Sequence, residues 1–453
     1  MKQSVIYICL IVISTSCIPK QSTDFPRDEQ DNDPGTITIF FTGNELGALK
    51  PCGCSGGQLG GLERRLAVFD RVPEEKRLII DTGTLVESER EQDLIKFNII
   101  IRAFKLLGYD LVSFSAKDLE IIRNNFGSLD DFSSILNVIA PAGPSGLNAP
   151  AKFTQRFELK NRTVDVSIAS IDVNSTPVEF IGEAYFSSSG DENQAGNRQV
   201  NILILNRCDP ELISSIAEKA PAVDCLVCPP ESDEPMLIGE PNNRPLAFSM
   251  GRKGRYVAKL RIDTFQTNDK QKLSFEAKAV TEDLEQNVNL INLYKDYQQI
   301  VKEQNLLEKH PRFPMPEGLH YAGSESCSTC HTFAYVAWMG KPHANAYATL
   351  EKVGSQYDPE CVVCHVVGMD YESGFVSELK TPLLKDVGCE VCHGAGSKHN
   401  AHPNEIKMPI ADANTACITC HTPEHSNDYA GHEQEKLQLI NHWTEPNAVG
   451  DVK

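Results

Sequence analysis

Four times in its last third the chain reads Cys-x-x-Cys-His: Cys327, Cys330 and His331; Cys361, Cys364 and His365; Cys389, Cys392 and His393; Cys417, Cys420 and His421. Two thiols at that spacing, followed at once by an imidazole, meet the needs of covalent c-type haem attachment. The sulfurs form thioethers with the porphyrin vinyls and the histidine ligates the iron. Zinc is the rival chemistry, because four Cys-x-x-Cys pairs could also build two four-thiolate sites. Zinc has no need of a histidine after each second cysteine, yet all four pairs carry one. The spacing therefore predicts four covalently bound haem c groups, with electron transfer as the chemistry.

All twelve histidines lie from His310 onward, and the 309 residues before it contain none. A histidine-dependent metal site or histidine general base is thus excluded from that first part unless the other part supplies the group. The asymmetry marks a boundary near the proline-rich stretch His310-Pro-Arg-Phe-Pro-Met-Pro-Glu-Gly318.

Ahead of that boundary, β-branched and aromatic runs alternate with stretches of helical spacing. Strands are predicted over 36–42, 77–81 and 110–115, with helices over 61–71 and 92–107. Further strands fall at 164–172, 201–205 and 224–228, with a helix over 210–219. The runs 245–250, 256–263 and 273–281 read as a closing antiparallel set, and 283–308 as a helix leading onward. The sum is an α/β layered sandwich over 36–282, a helical linker over 283–318 and a mostly α, haem-packed domain over 319–453.

The formal net charge is −19. Nucleic acid is an unsuitable partner for such a chain, because phosphate binding wants a basic surface; a basic or dipolar redox partner protein suits it better. Lys2, the apolar run Val5 to Ile13 and then Ser14-Thr15-Ser16-Cys17 read as an export signal too short to span a bilayer. Small residues running into a cysteine resemble a lipobox, with Cys17 as the lipidated residue, although Ser14 stands where leucine is usual. Ordinary cleaved export and an uncleaved anchor are the other readings. Residues 18–35 read as a flexible tether. The expected location is the periplasm or cell envelope, on a lipid-anchored membrane attachment.

Several landmarks in the last part resemble the tetrahaem cytochrome c-554 family: Tyr321-Ala-Gly-Ser-Glu-Ser-Cys327, Trp338-Met-Gly-Lys-Pro-His343, Val387-Gly-Cys-Glu-Val-Cys-His-Gly394 and Gly394-Ala-Gly-Ser-Lys-His399. The resemblance implies close-packed haems, His343 and His399 as distal iron ligands, and one five-coordinate haem, that of His365. For the fourth haem the candidate distal ligand is His442, with His425 and His432 behind it. His310, His320 and His402 read as surface or loop residues, and Met339, Met369 and Met408 as core or loop residues.

Residues 36–282 resemble the 5′-nucleotidase-type calcineurin-like metallophosphoesterases. Thr42-Gly-Asn44-Glu-Leu46-Gly47, Gly60-Gly-Leu-Glu-Arg-Arg65, Asp81-Thr-Gly-Thr84 and Ser115-Ala-Lys-Asp118 carry the likeness. Looser matches fall at Asn206-Arg207-Cys208 and Cys228-Pro-Pro-Glu-Ser232. Where that family has metal ligands, this chain has Asn44, Leu46, Thr84, Ala116 and Lys117, and the late histidines are missing. A two-metal hydrolytic site needs those donors, so phosphohydrolase activity is not expected. Cys52, Cys54, Cys208 and Cys228 could converge on the edge where the family's metals sit. One or two disulfides, a thiolate metal site or redox-active pair, and unpaired buried thiols are the readings open to them.

The leading expectation is an exported multihaem cytochrome relaying electrons between envelope redox proteins, with the sandwich as a docking module. The alternative is a redox enzyme acting on a small nitrogen or sulfur compound at one open haem. A third reading makes the sandwich a binding module whose output is redox.

Overall fold

Alternation of period two sorts the apolar residues of the first part onto two faces of each strand. In β1 (Thr36–Thr42), Ile37, Ile39 and Phe41 point one way and Phe40 the other, and all are buried. A strand buried on both faces must lie inside a layered structure, and that is where β1 lies. The computed structural model describes residues 35–443 apart from 52–56, 142–146, 148, 160–161, 187–196, 265–271, 410–411 and 427. Cys17, Cys52 and Cys54 fall outside the described residues.

The order continues with α1 (Leu62–Phe69), β2 (Arg77–Asp81), α2 (Glu91–Leu107), β3 (Leu111–Ser113), α3 (Ala116–Asn125), α4 (Asp130–Ser133) and β4 (Asn137–Ile139). Next come β5 (Lys152–Leu159), β6 (Arg162–Ile171), α5 (Ile181–Phe186), β7 (Asn197–Leu205), α6 (Pro210–Lys219) and β8 (Cys225–Cys228). Then follow β9 (Met236–Ile238), β10 (Leu246–Ser249), β11 (Tyr256–Asp263), β12 (Lys272–Ala279) and α7 (Val288–Glu303). The strands form two six-stranded sheets, ordered β12-β11-β1-β2-β3-β4 and β5-β6-β7-β8-β10-β9.

Ile37, Leu78 and Leu260 of the first sheet meet Val166, Ile202 and Phe248 of the second in a core between the sheets. Phe40, Ile79 and Val257, on the opposite face of the first sheet, pack under α1, α2 and α7. Leu203 and Leu226, on the far face of the second, pack with Ile181 of α5 and Ile216 of α6. The result is four layers, helix–sheet–sheet–helix, an α/β sandwich.

Local signals set several ends. Asp209 caps α6 by accepting from Leu212 N at 2.9 Å, and Pro210 occupies its first turn. Gly108 ends α2 in the left-handed conformation at φ 74°. Two expectations need correction. β10 is not part of a closing antiparallel set; it pairs parallel with β8 and antiparallel only with β9, in the second sheet. The helix expected to act as a linker breaks at Asn305 (φ 53°), and its main part, α7, buries Leu290, Leu293, Tyr297 and Val301 in the first sheet's helical layer. Apolar residues at helical spacing served a core rather than a bridge.

The last part is a string of short helices: α8 (Leu306–Lys309), α9 (Thr332–Met339), α10 (Ala346–Val353), α11 (Pro359–Val362), α12 (Cys389–His393), α13 (Ser397–Ala401) and α14 (Glu433–Leu439). Its own apolar core is small, built around Tyr347, Val362, Val366, Met369 and Phe375. Among the described residues no helix is long and apolar enough to cross a membrane.

Candidate haem centres

Two imidazoles bound to one metal through nitrogens at roughly 2 Å each set their ring centroids about 6 Å apart. Among the described residues three such pairs form. His331 faces His399 at 6.1 Å, His343 faces His421 at 6.1 Å, and His393 faces His442 at 6.2 Å. The protons are aimed to suit ligation. Nδ1 of His365 donates to Ala346 O at 2.7 Å, that of His393 to Pro409 O at 2.8 Å and that of His399 to Ile406 O at 2.6 Å. Nδ1 of His442 likewise meets Ile440 O at 3.0 Å. A carbonyl only accepts, so each of these rings carries its proton on Nδ1 and presents a bare Nε2 to a metal. Burial, foremost, pushes His343, His365 and His421 below the usual histidine range, favouring the neutral imidazole that a metal binds. The surroundings fit a porphyrin as well: α9 is apolar along most of its length yet buries none of its residues.

These pairs place His343 opposite the fourth motif and His442 opposite the third, whereas the sequence reading assigned His442 to the fourth. Proximity along the chain suggested that assignment; tertiary packing brings the segment after α9 to His421 instead. His365 belongs to none of these pairs, and His425 is an imidazole near enough to act on its charge. Of the other histidines, His310 uses Nε2 on Asp370 at 2.8 Å, His425 Nδ1 lies 2.8 Å from Thr422 Oγ1, and His432 is exposed beside Glu435. Tyr429, which the sequence did not single out, stacks on His421 at 4.8 Å.

Each motif needs its backbone held. For the third, the buried Glu390 accepts from Gly323 N at 2.8 Å and Gly396 N at 2.7 Å, and Ser324 Oγ accepts from Cys389 N at 3.1 Å. That one carboxylate ties together the entry to the first motif, the third motif and the turn leading to His399. For the second, Asp358 caps α11, which carries Cys361, by accepting from Glu360 N at 3.0 Å. The motifs also adjoin in pairs: Cys327 lies within hydrogen-bonding reach of Cys389, and Cys420 of Cys364.

At the carboxyl ends of β1, β2 and β3 the loops converge, as in open parallel sheets generally. Asn44 N donates to Gly83 O at 2.7 Å, Gly47 N to Leu85 O at 2.8 Å and Lys253 N to Asn44 O at 2.8 Å. Asn44, Leu46, Thr84 and Lys253 are held there at φ between 51° and 61°. A left-handed conformation costs a non-glycine residue about 1–3 kcal/mol, so four together mark a constrained edge. Among the described residues no cluster of three or more histidine, cysteine, aspartate or glutamate side chains suited to a metal occurs. What fills this end of the sandwich is a buried ion pair. Arg65 donates to Glu45 through both terminal nitrogens, at 2.6 and 2.5 Å, and to Tyr109 at 3.2 Å. Gly254 (φ 56°) makes the room, since a Cβ there would collide with Arg65.

Asp81 completes this group, accepting from Thr42 Oγ1 at 2.7 Å and Gly83 N at 2.8 Å. Burial first, then the Glu45 carboxylate, push it up to about 8. The native state therefore keeps a proton that the unfolded chain releases near pH 4, and stability falls as pH rises from about 4 to about 8. Asp81→Asn carries no such proton. Its advantage over the parent in chemical denaturation should be small at pH 5 and grow by roughly 2–5 kcal/mol at pH 8. A difference that stays flat between those pH values would rule out a protonated Asp81.

Of the four cysteines expected near this edge, Cys208 and Cys228 are joined as a disulfide with Cα atoms 5.6 Å apart. Cys225 is buried and its thiol is pushed up by burial, which makes it inert.

The family described as cytochrome c554 and c-prime matches residues 326–394. Cytochrome c-554 of Nitrosomonas europaea is 34% identical over 91 residues, which are 17% of this chain and 39% of that protein. The chain thus spans well under two thirds of this curated relative. Among solved structures, the calcineurin-like phosphoesterase YfkN of Bacillus subtilis aligns with 59% of this chain and 98% of its own, at 12% identity and a TM-score of 0.42. A 5′-nucleotidase precursor of Thermus thermophilus aligns with 70% of this chain and 68% of its own, at 14% identity and 0.44. Residues 326–394 are therefore similar to the cytochrome c554 and c-prime family, and they follow an α/β sandwich in the same chain.

Proposed function

We propose that this protein is an exported tetrahaem cytochrome that relays electrons in the cell envelope, lipid-anchored through Cys17, with a sandwich that no longer hydrolyses phosphoesters. The observation that carries the relay is the set of three imidazole pairs at 6.1–6.2 Å. When bound, each haem supplies a one-electron Fe(III)/Fe(II) couple. His331 with His399, His343 with His421 and His393 with His442 would each hold one such iron between two imidazoles, which would leave no place for a substrate to bind and suit it to outer-sphere transfer. The contacts between Cys327 and Cys389, and between Cys364 and Cys420, bring attachment segments side by side in two pairs, as a relay needs. The loss of hydrolysis is supported by Leu46 and Thr84 standing at the converged loops without a carboxylate or imidazole, where among the described residues no cluster of histidine, cysteine, aspartate or glutamate suited to a metal occurs.

A second reading is favoured by His365, which belongs to none of the three imidazole pairs. An iron held there from one side would be open to a small nitrogen or sulfur compound. Low-temperature EPR of the oxidised holoprotein, after haem stoichiometry by pyridine haemochrome, tests both. The expected result is four haems per chain with low-spin signals from three and a cyanide-sensitive high-spin signal from one. Four low-spin signals would remove the enzymatic reading; fewer than four haems would sink the tetrahaem assignment.

A further inference from the structure

The second attachment segment differs from the third in what anchors it. Glu390 and Ser324 hold the third from within the haem region. Asp358, which caps α11, is 5% exposed and is gripped by the sandwich: Gln92 Nε2 of α2 donates to Oδ1 at 2.8 Å, and Tyr297 OH of α7 donates to Oδ2 at 2.8 Å. The backbone carbonyl of Asp358 also accepts from Cys361 N at 3.0 Å and Val362 N at 2.9 Å, and Val362 O accepts from His365 N at 2.8 Å. One turn along α2 from Gln92, on the same face, Lys96 Nζ reaches Glu360 Oε2 at 2.5 Å. The chain from Gln92, Tyr297 and Lys96 to the thioether cysteine and the axial histidine is thus continuous. The seat extends to the fourth segment, where Lys253 Nζ meets Glu424 Oε2 at 2.5 Å and Gln58 Nε2 donates to Glu424 O at 3.2 Å.

We propose that Gln92, Lys96 and Tyr297 are positioning residues for the second haem, and that through Asp358 and Glu360 the sandwich sets that haem's reduction potential. The inference rests on the haem assignment above but not on the second iron being open. Two carboxylates beside a haem favour the more positive Fe(III) state and lower its potential. Lys96 offsets one, and the Gln92 and Tyr297 donors disperse the charge of the other. Removing these groups leaves more bare negative charge at the attachment turn, so the potential should fall.

The test is a spectroelectrochemical titration of full-length holoprotein. The second haem's component is identified as the one missing from a Cys361→Ser/Cys364→Ser variant. Lys96→Gln should lower that midpoint by the equivalent of about a threefold change in the Fe(III)/Fe(II) ratio, roughly 30 mV for a one-electron couple. Lys96→Arg should restore it. Tyr297→Phe with Gln92→Ala should move it in the same direction, and the first and third haems should stay in place in every variant. A second-haem midpoint that stays put in both variants would overturn the proposal, as would all four components shifting together. Absence of a high-spin signal in the parent protein would count against the open iron alone, because the potential is read whether or not the iron is five-coordinate.

Discussion

Replacing His442 by alanine is expected to open the iron held by His393 and to leave the iron held by His421 low-spin. His393 and His442 face each other at 6.2 Å, while His421 already has His343 at 6.1 Å. Both members of the first pair have their Nδ1 protons committed to carbonyls, at Pro409 and Ile440, so neither ring can turn to a different iron without breaking that bond. One full haem equivalent should pass from low-spin to high-spin in EPR, and added imidazole should reverse it. The decisive background is a Cys417→Ser/Cys420→Ser variant, which lacks the fourth attachment. If His442 serves the third iron, His442→Ala still creates a high-spin haem there. If it serves the fourth, as its closeness in sequence to that motif implies, nothing further changes. His343→Ala in the same background should give the opposite answer.

The second large effect concerns the sandwich. Arg65→Met should cost about 3–5 kcal/mol of unfolding free energy, because it strands the Glu45 carboxylate in the interior. Both side chains of this pair are fully buried. The double variant Arg65→Met/Glu45→Leu should recover most of the loss, since an apolar pair of similar volume carries no desolvation cost. Far-UV circular dichroism in urea follows the sandwich, while haem absorbance reports the other part separately. A loss below about 1 kcal/mol in the single variant would mean that Glu45 finds water or a proton at no cost, and the closed network would have to be abandoned. The pair occupies the end of the sheet where the four left-handed residues crowd. The guanidinium there is held by its own counter-ion.

The elements that the sequence foretold best are those whose pattern is self-contained. Thr36–Thr42, Arg77–Asp81 and Pro210–Lys219 match their elements end to end, because alternation, a capping Asp209 and Pro210 are local instructions. β4, β5 and α3 were not foreseen. β4 is only three residues long, and β5 pairs along an edge with mostly exposed and half-buried positions, so neither carries a strong apolar signal. α3 rests on its Ser115–Asp118 capping box, four residues that read in the sequence as a phosphoesterase-like landmark and not as a helix start. The misplacement of β10 has a different origin. A four-residue apolar run says that a strand is buried, and nothing about which sheet buries it.

The same division runs through the haem centres. Where haem would attach, and which imidazole would come with it, can be read from the sequence, because thioether and proximal ligation are made within five consecutive residues. Which histidine faces a motif histidine was decided by tertiary structure. His331 with His399, His343 with His421 and His393 with His442 come from separate segments brought together by long-range anchors such as Glu390 and Val387. The pairing of Cys208 with Cys228 was likewise open until two neighbouring strand ends met. The grip of Gln92, Lys96 and Tyr297 on the second motif had no sequence signal at all. Covalent chemistry is local and can be read residue by residue; ligation from the far side depends on distances that only the folded chain determines.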